Sequence, residues 1–169
     1  MTKALVGMIT IATTTYQQNQ GAITQVRMQV FVTEQGVPPE LEMDDRDPEC
    51  VHVLAWDGDK PVATGRLDLA KGGKVGRLAV LKEYRQRGIG RQLMHTLEEI
   101  ARHHQLDRVW FHAQVAAIPF YGKLGYRVSS EVFQEAGIPH VVMEKSLTAE
   151  MLDPKPLQTG GVFGIDDGG

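Results

Sequence analysis

The sequence predicts an α/β fold of the α+β type, with one mixed, mostly antiparallel twisted sheet flanked by helices. Three observations predict it. Apolar runs at 51–56, 62–69 and 75–81 follow one another across short turns, Asp57-Gly58-Asp59-Lys60 and Ala70-Lys71-Gly72-Gly73, the pattern of an antiparallel meander. A helix and a further strand-like run at 108–113 come next, and a strand–helix–strand unit normally makes a parallel pair. The chain's 169 residues, 42% hydrophobic and 23% charged, suffice for one domain with a full core.

Taken in order, residues 7–12 (Gly-Met-Ile-Thr-Ile-Ala) read as the first strand. Between 20 and 34, Ile23, Val26, Arg27, Val30 and Phe31 recur at helical spacing, and Gly36 stands where a helix stops. Pro38-Pro39 opens a loop to Cys50 that carries Glu40, Glu42, Asp44, Asp45, Asp47 and Glu49 against Arg46. The loop reads as solvated, or as a wall that attracts a cationic substrate. Arg27 reads as an exposed cation or as a partner of that loop. After the meander, Ile89, Leu93, Met94, Leu97, Ile100 and Ala101 line one face of a helix over 88–104. Residues 116–124 form a short helix containing Tyr121 and stopped by Gly125, and 126–132 with 140–145 predict a final hairpin. The domain is read as 1–148. The Gly- and Pro-rich tail at 149–169 has too few apolar residues to support a core.

Composition excludes several classes. A net charge of −3 gives no reason to expect nucleic acid as a partner. No apolar run approaches the length of a membrane span, and Met1 to Val6 is too short and polar for a signal peptide. The single cysteine, Cys50, excludes an internal disulfide framework and suits a reducing compartment, so a cytoplasmic location is expected by default. Cys50 and His52 are a pair and not a metal set, and His103-His104 reads as a solvated helix end. No metal is expected.

The chemistry concentrates at Arg85-Gln86-Arg87-Gly88-Ile89-Gly90-Arg91, a basic turn with two glycines between strand and helix. Unpaired N–H groups of a first helical turn point outward, and the helix dipole favours an anion there. Gly88 and Gly90 remove side chains that would keep a pyrophosphate from the backbone. The P-loop does not fit, because Gly90 is followed by Arg91-Gln92 in place of Lys and Ser or Thr, and the dinucleotide fingerprint fails at Leu93. Turn geometry and solubility alone offer a second explanation of the same residues.

The order of elements and these motifs resemble the GNAT acetyltransferase superfamily over residues 8–147. That family's motif is Arg or Gln, two residues, Gly, one residue, Gly or Ala, and Arg85 to Gly90 fit it in full. The resemblance implies a GNAT-like sheet and acetyl-CoA as co-substrate. It also implies an amine acceptor, with the pyrophosphate wrapped by the backbone of Arg85, Gln86, Arg87, Gly88, Ile89, Gly90 and Arg91. Leu78, Ala79 and Val80 fall on the strand whose main chain binds the pantetheine arm and the thioester. Ala117-Ile118-Pro119-Phe120-Tyr121-Gly122-Lys123-Leu124-Gly125-Tyr126 is similar to the family's "Tyr, two or three residues, Gly, aromatic" helix. This implies Tyr121 as the proton donor to the departing thiolate; the alternative is a core aromatic beside Phe120 and Tyr126. Gln114 stands where many members carry Asn. No carboxylate lies between 75 and 81, where some members place a general base, so His112, His140, Glu34 or a water relay are the candidates. The segment from Arg27 to Asp47 is loosely similar to acyl-homoserine-lactone synthases, a minor alternative that predicts longer acyl thioesters. A CoA-binding regulatory module without catalysis is a further one. Edge strands of the final hairpin leave a homodimer possible.

Overall fold

Thr15 both ends the first strand and starts the first helix. Its hydroxyl accepts from the N–H of Gln18 at 3.1 Å while the Gln18 side chain accepts from the N–H of Thr15, a reciprocal capping box. Helix α1 (Tyr16–Arg27) therefore begins earlier than the apolar spacing from residue 20 predicts. It runs on as a π-helical segment, Met28–Glu34, in which Gln35 N–H reaches back to Val30 C=O, and it stops at Gly36 with φ +75°. The computed structural model describes residues 8–147; Gly7 and the tail at 149–169 lie outside the described residues.

Strand β1 (Ile9–Thr15) pairs with β2 (Val51–Asp57), which forms the expected meander with β3 (Lys60–Asp68) and β4 (Lys74–Val80). A short helix α2 (Pro39–Glu42) lies in the acidic loop. Helix α3 (Ile89–His103) buries Leu93, Met94, Leu97 and Ala101 against the sheet and leads to β5 (Arg108–Gln114), parallel to β4. After α4 (Ile118–Lys123) come β6 (Arg127–Val128), β7 (Phe133–Glu135) and β8 (Ile138–Ser146). The sheet order is β1-β2-β3-β4-β5-β8-β6, with β7 also on β8. The sheet is mixed and mostly antiparallel, as expected.

The last hairpin departs from expectation. The predicted strand at 126–132 is broken, because Ser130 Oγ accepts from Val142 N–H at 2.8 Å and so takes a place that a ladder carbonyl would fill. Pairing resumes at Phe133, and the chain turns at Ala136 and Gly137, both with positive φ, as a two-residue type I′ turn needs.

The acidic loop is solvated at Glu40, Asp45 and Glu49, whereas Glu42 and Asp47 are buried. Arg27 from α1, Arg66 from β3 and Arg77 from β4 converge on it. Arg27 Nη1 and Arg66 Nη1 meet the same Asp47 oxygen at 2.8 and 2.7 Å. Arg66 Nη2 binds Asp44 at 2.8 Å, and Arg77 Nη2 donates to Asp44 at 3.2 Å and to the Glu42 carbonyl at 2.9 Å. Glu42 is also paired with Arg27, and Arg46 with Asp68. Arg27 is 3% exposed, so the ion-pair alternative describes it.

These contacts shift titration. The Arg66 guanidinium holds the Asp44 carboxyl far below the usual carboxylate range. Burial opposes ionisation of Asp47, but hydrogen bonds from Arg27 and Arg66 outweigh it and keep that carboxyl low as well. Beneath them His52 is buried; its Nε2 bonds the Asp47 carbonyl at 2.9 Å, its Nδ1 has no partner among the described residues, and burial pushes its pKa down.

Removing one member of a buried ion network leaves the others uncompensated. Arg27→Met should cost about 3–5 kcal/mol of unfolding free energy, read by urea denaturation. The pH dependence has two parts. The unfolded chain protonates His52 near pH 6.5 while the folded chain resists, so stability falls as pH drops below about 6.5. The depressed Asp44 and Asp47 contribute stability above about pH 4 that is lost as pH falls further towards their folded pKa values. His52→Gln should flatten the first fall and leave the second, measured by denaturant midpoints from pH 8 to 3.

Candidate active site

The wedge between β4 and β5 is the centre of the site. The two strands share one register pair, Lys74 with Trp110, and then separate. Within β4 the register against β3 slips by one residue between Gly76 and Ala79, and Arg77 there takes φ +52°, a bulge in a conformation that non-glycine residues rarely adopt. A bulge bends its strand and increases its local twist. Among the described residues, the edge of β4 that faces β5 consequently has no partner strand beyond Lys74. A cavity of about 510 Å³ fills the wedge, with Leu78 from β4, Gln114 from β5 and Tyr121 from α4 on its walls.

The loop from Arg85 to Arg91 follows the end of β4 and leads into α3. Gln86 and Gly88 both take positive φ, +64° and +80°, and Gly88 precedes the first residue of α3. The first-turn N–H groups of α3 have no earlier helical carbonyl to bond, so they face outward with the positive end of the helix dipole. A Cβ on Gly90 would stand 3.3 Å from Phe120 Cζ and 3.9 Å from Val80 Cγ2, so that glycine lets α3, α4 and β4 meet. The basic side chains have uses within the fold. Arg85 forms a two-pronged pair with Glu34, both contacts at 2.7 Å, and its Nε donates to the Val80 carbonyl at 2.9 Å. The Arg87 guanidinium lies 4.7 Å from the Tyr84 ring centre.

Glu34, a base candidate by sequence, is thus the partner of Arg85, which holds its carboxyl below the usual range. His112 and His140 lie on adjacent strands, where Gln114 opposes His140 and His112 opposes Val142, and both line the cavity. His112 Nδ1 donates to Glu135 Oε1 at 2.8 Å, and His140 Nδ1 donates to the Ile138 carbonyl at 2.7 Å. The Phe133 ring contacts both imidazoles, with centroids 5.0 and 6.0 Å away. Tyr121 is half-buried, its ring 4.5 Å from that of Phe111, and burial pushes its hydroxyl well above the ordinary phenol pKa. Tyr126 is core, hydrogen-bonded to the buried Glu98 of α3.

Three contributors escaped the sequence reading. Gln35 accepts from the Gln114 amide at 3.0 Å, Glu135 holds His112, and Arg77 forms the bulge. Glu135 had a readable signal: it precedes Ala136-Gly137, a turn dipeptide between two β-type runs. Among the described residues no helix is long and apolar enough to cross a membrane, and no three His, Cys, Asp or Glu side chains group as a metal site would require.

Comparison with known proteins agrees with this architecture. The family model for the acetyltransferase (GNAT) domain matches residues 10–147. YjcF of Bacillus subtilis, an uncharacterised N-acetyltransferase, is 46% identical over 122 residues, covering 71% of this chain and 87% of that protein. ElaA of Escherichia coli is 34% identical over 132 residues, 75% of this chain and 86% of that one. The ElaA crystal structure superposes with TM-score 0.74 over 80% of this chain and 99% of its own. An acyl-CoA N-acyltransferase from Pseudomonas aeruginosa gives TM-score 0.73 at 29% identity, over 82% and 99%. The chain belongs to the GNAT acetyltransferase family, and it is an acyltransferase.

Proposed function

We propose that the protein moves an acetyl group from acetyl-CoA directly to a primary amine of a small molecule or peptide. One observation carries this reading: the edge of β4 and the Tyr121 side chain border the same wedge, and the first turn of α3 stands at the end of β4, where Gly90 sits against Val80 and Phe120. An acyl thioester with a long amide-bearing arm and a terminal pyrophosphate matches that sequence of groups. The pyrophosphate meets the N–H groups from Gly88 to Arg91. The arm adds to β4 as a short extra strand. Ala79 faces β3, where it pairs with Thr64, and Arg85 Nε meets the Val80 carbonyl, so the arm and the thioester rely on the main chain of Leu78 and the N–H of Val80.

The chemistry then needs no covalent intermediate. The amine nitrogen attacks the thioester carbonyl, a C–N bond forms and the C–S bond breaks. The departing sulfur takes a proton from Tyr121, which burial keeps protonated across the neutral range. The proton of the attacking amine passes to an imidazole on the cavity wall, His112 or His140. Glu34 acts as a brace, since its charge is engaged by Arg85 and its pKa is lowered. Gln114, held by Gln35, offers a further amide beside the thioester.

Calorimetric titration with acetyl-CoA tests the anchor. The unmodified protein should bind, and Gly88→Glu should not, because its side chain and charge would occupy the phosphate position. Binding that survives in the variant would refute the loop's role. For Tyr121→Phe, kcat should fall by about 100-fold or more while acetyl-CoA affinity stays within about twofold. Equal losses in both would remove Tyr121 from the proton-transfer step. Thiol release across a panel of amines separates an enzyme acting on amines from a module that only binds CoA.

A further inference from the structure

The charges on the cavity wall point to a class of acceptor, an inference that rests on the acetyl-transfer reading above. Of the acids in the loop from Pro38 to Cys50, Glu42 alone lines the cavity, and its side chain is 5% exposed. Its Oε2 is held by Arg27 and stands 3.4 Å from Arg77 Nε. The other carboxylate on the wall, Glu135, is engaged by His112 Nδ1. Arg77 brings a positive charge to the same wall. Phe31, Val37, Leu41 and Ile138 form an apolar part of the lining, beside Gln35 and Gln114.

We infer that the acceptor is a monoamine with an apolar aliphatic or aromatic body, its nitrogen at His112 Nε2 and its body against Phe31, Val37, Leu41 and Ile138. The Nδ1–H bond to Glu135 fixes the imidazole tautomer and leaves the lone pair on Nε2. That nitrogen takes the proton of the attacking amine as the C–N bond forms. The thiolate takes the Tyr121 proton as the C–S bond breaks, and exchange with water resets both groups. Glu135 is a positioning residue that acts through His112. A polyamine or an aminoglycoside would place its additional ammonium groups against apolar side chains or beside Arg77, since Glu42 is engaged by Arg27 and Glu135 lies at the His112 end, where the reacting nitrogen sits. An unpaired charge taken out of water is strongly disfavoured, so the wall selects against them.

The test uses the unmodified full chain saturated with acetyl-CoA, with kcat/KM measured for 2-phenylethylamine, hexylamine, spermidine and kanamycin. The monoamines should exceed spermidine and kanamycin by about tenfold or more. A preference for spermidine or kanamycin overturns the acceptor class and leaves acetyl transfer to amines standing. Turnover of none of the four, with acetyl-CoA bound, also overturns the acceptor class. Failure to bind acetyl-CoA at all removes the underlying functional reading. With 2-phenylethylamine, Glu135→Gln should lower kcat by about tenfold or more while the amine KM and the acetyl-CoA affinity stay within about twofold. An unchanged kcat would overturn the placement of the nitrogen at His112.

Discussion

The charge network of Arg27, Arg66 and Arg77 with Glu42, Asp44 and Asp47, buried at Arg27, Glu42 and Asp47, is the constraint on which the site depends. The loop from Pro38 to Cys50 is rich in acids and poor in apolar side chains, so it has little hydrophobic surface with which to dock. Arginines from α1, β3 and β4 hold it instead. Taking such charges out of water is costly, and it is offset only when the geometry is close and every partner is matched. Here the three guanidiniums meet three carboxylates with shared oxygens, and Asp47 bridges two of them. The network thereby fixes Val37, Leu41 and Glu42 as one wall of the cavity.

Arg77 links this wall to the opening itself. Its backbone forms the bulge in β4, and its side chain ends in the network. The strain of a positive φ at an arginine costs on the order of 1–2 kcal/mol, and the guanidinium contacts hold the residue there. The bulge bends β4 where β5 would otherwise continue beside it, so the two strands part after one register pair. An unpaired strand edge inside a protein is normally a liability. In this fold it becomes a row of main-chain groups facing a cavity that Tyr121 also lines. A single residue thus serves the shape of the wedge and the placement of its wall.

Much of this was legible in local sequence. The meander, the strand–helix–strand unit and the long amphipathic helix follow from apolar periodicity, which is a property of neighbouring residues. The loop at Arg85 to Arg91 was legible because glycines and a helix start lie within a few positions. Tyr121 was legible because it sits in a short aromatic motif. The start of α1 at Tyr16 was also legible in principle through Thr15 and Gln18, although apolar spacing places it later. The break in the final hairpin was not, since it depends on Ser130 replacing a ladder group opposite Val142.

The sequence by itself determined the fold class and located the glycine-containing loop at 85–91 and Tyr121 as candidates, because each rests on contacts or periodicities spanning a few residues. The tertiary structure alone decided the pairings. Glu34 lies 51 positions from Arg85, Gln35 lies 79 from Gln114, and His112 lies 23 from Glu135. An acidic run and scattered arginines have the same local appearance whether they face solvent or one another. Only the packing of α1 over β3 and β4 brings opposite charges within hydrogen-bond distance, and that proximity turns an apparent cation-attracting surface into a neutralised wall.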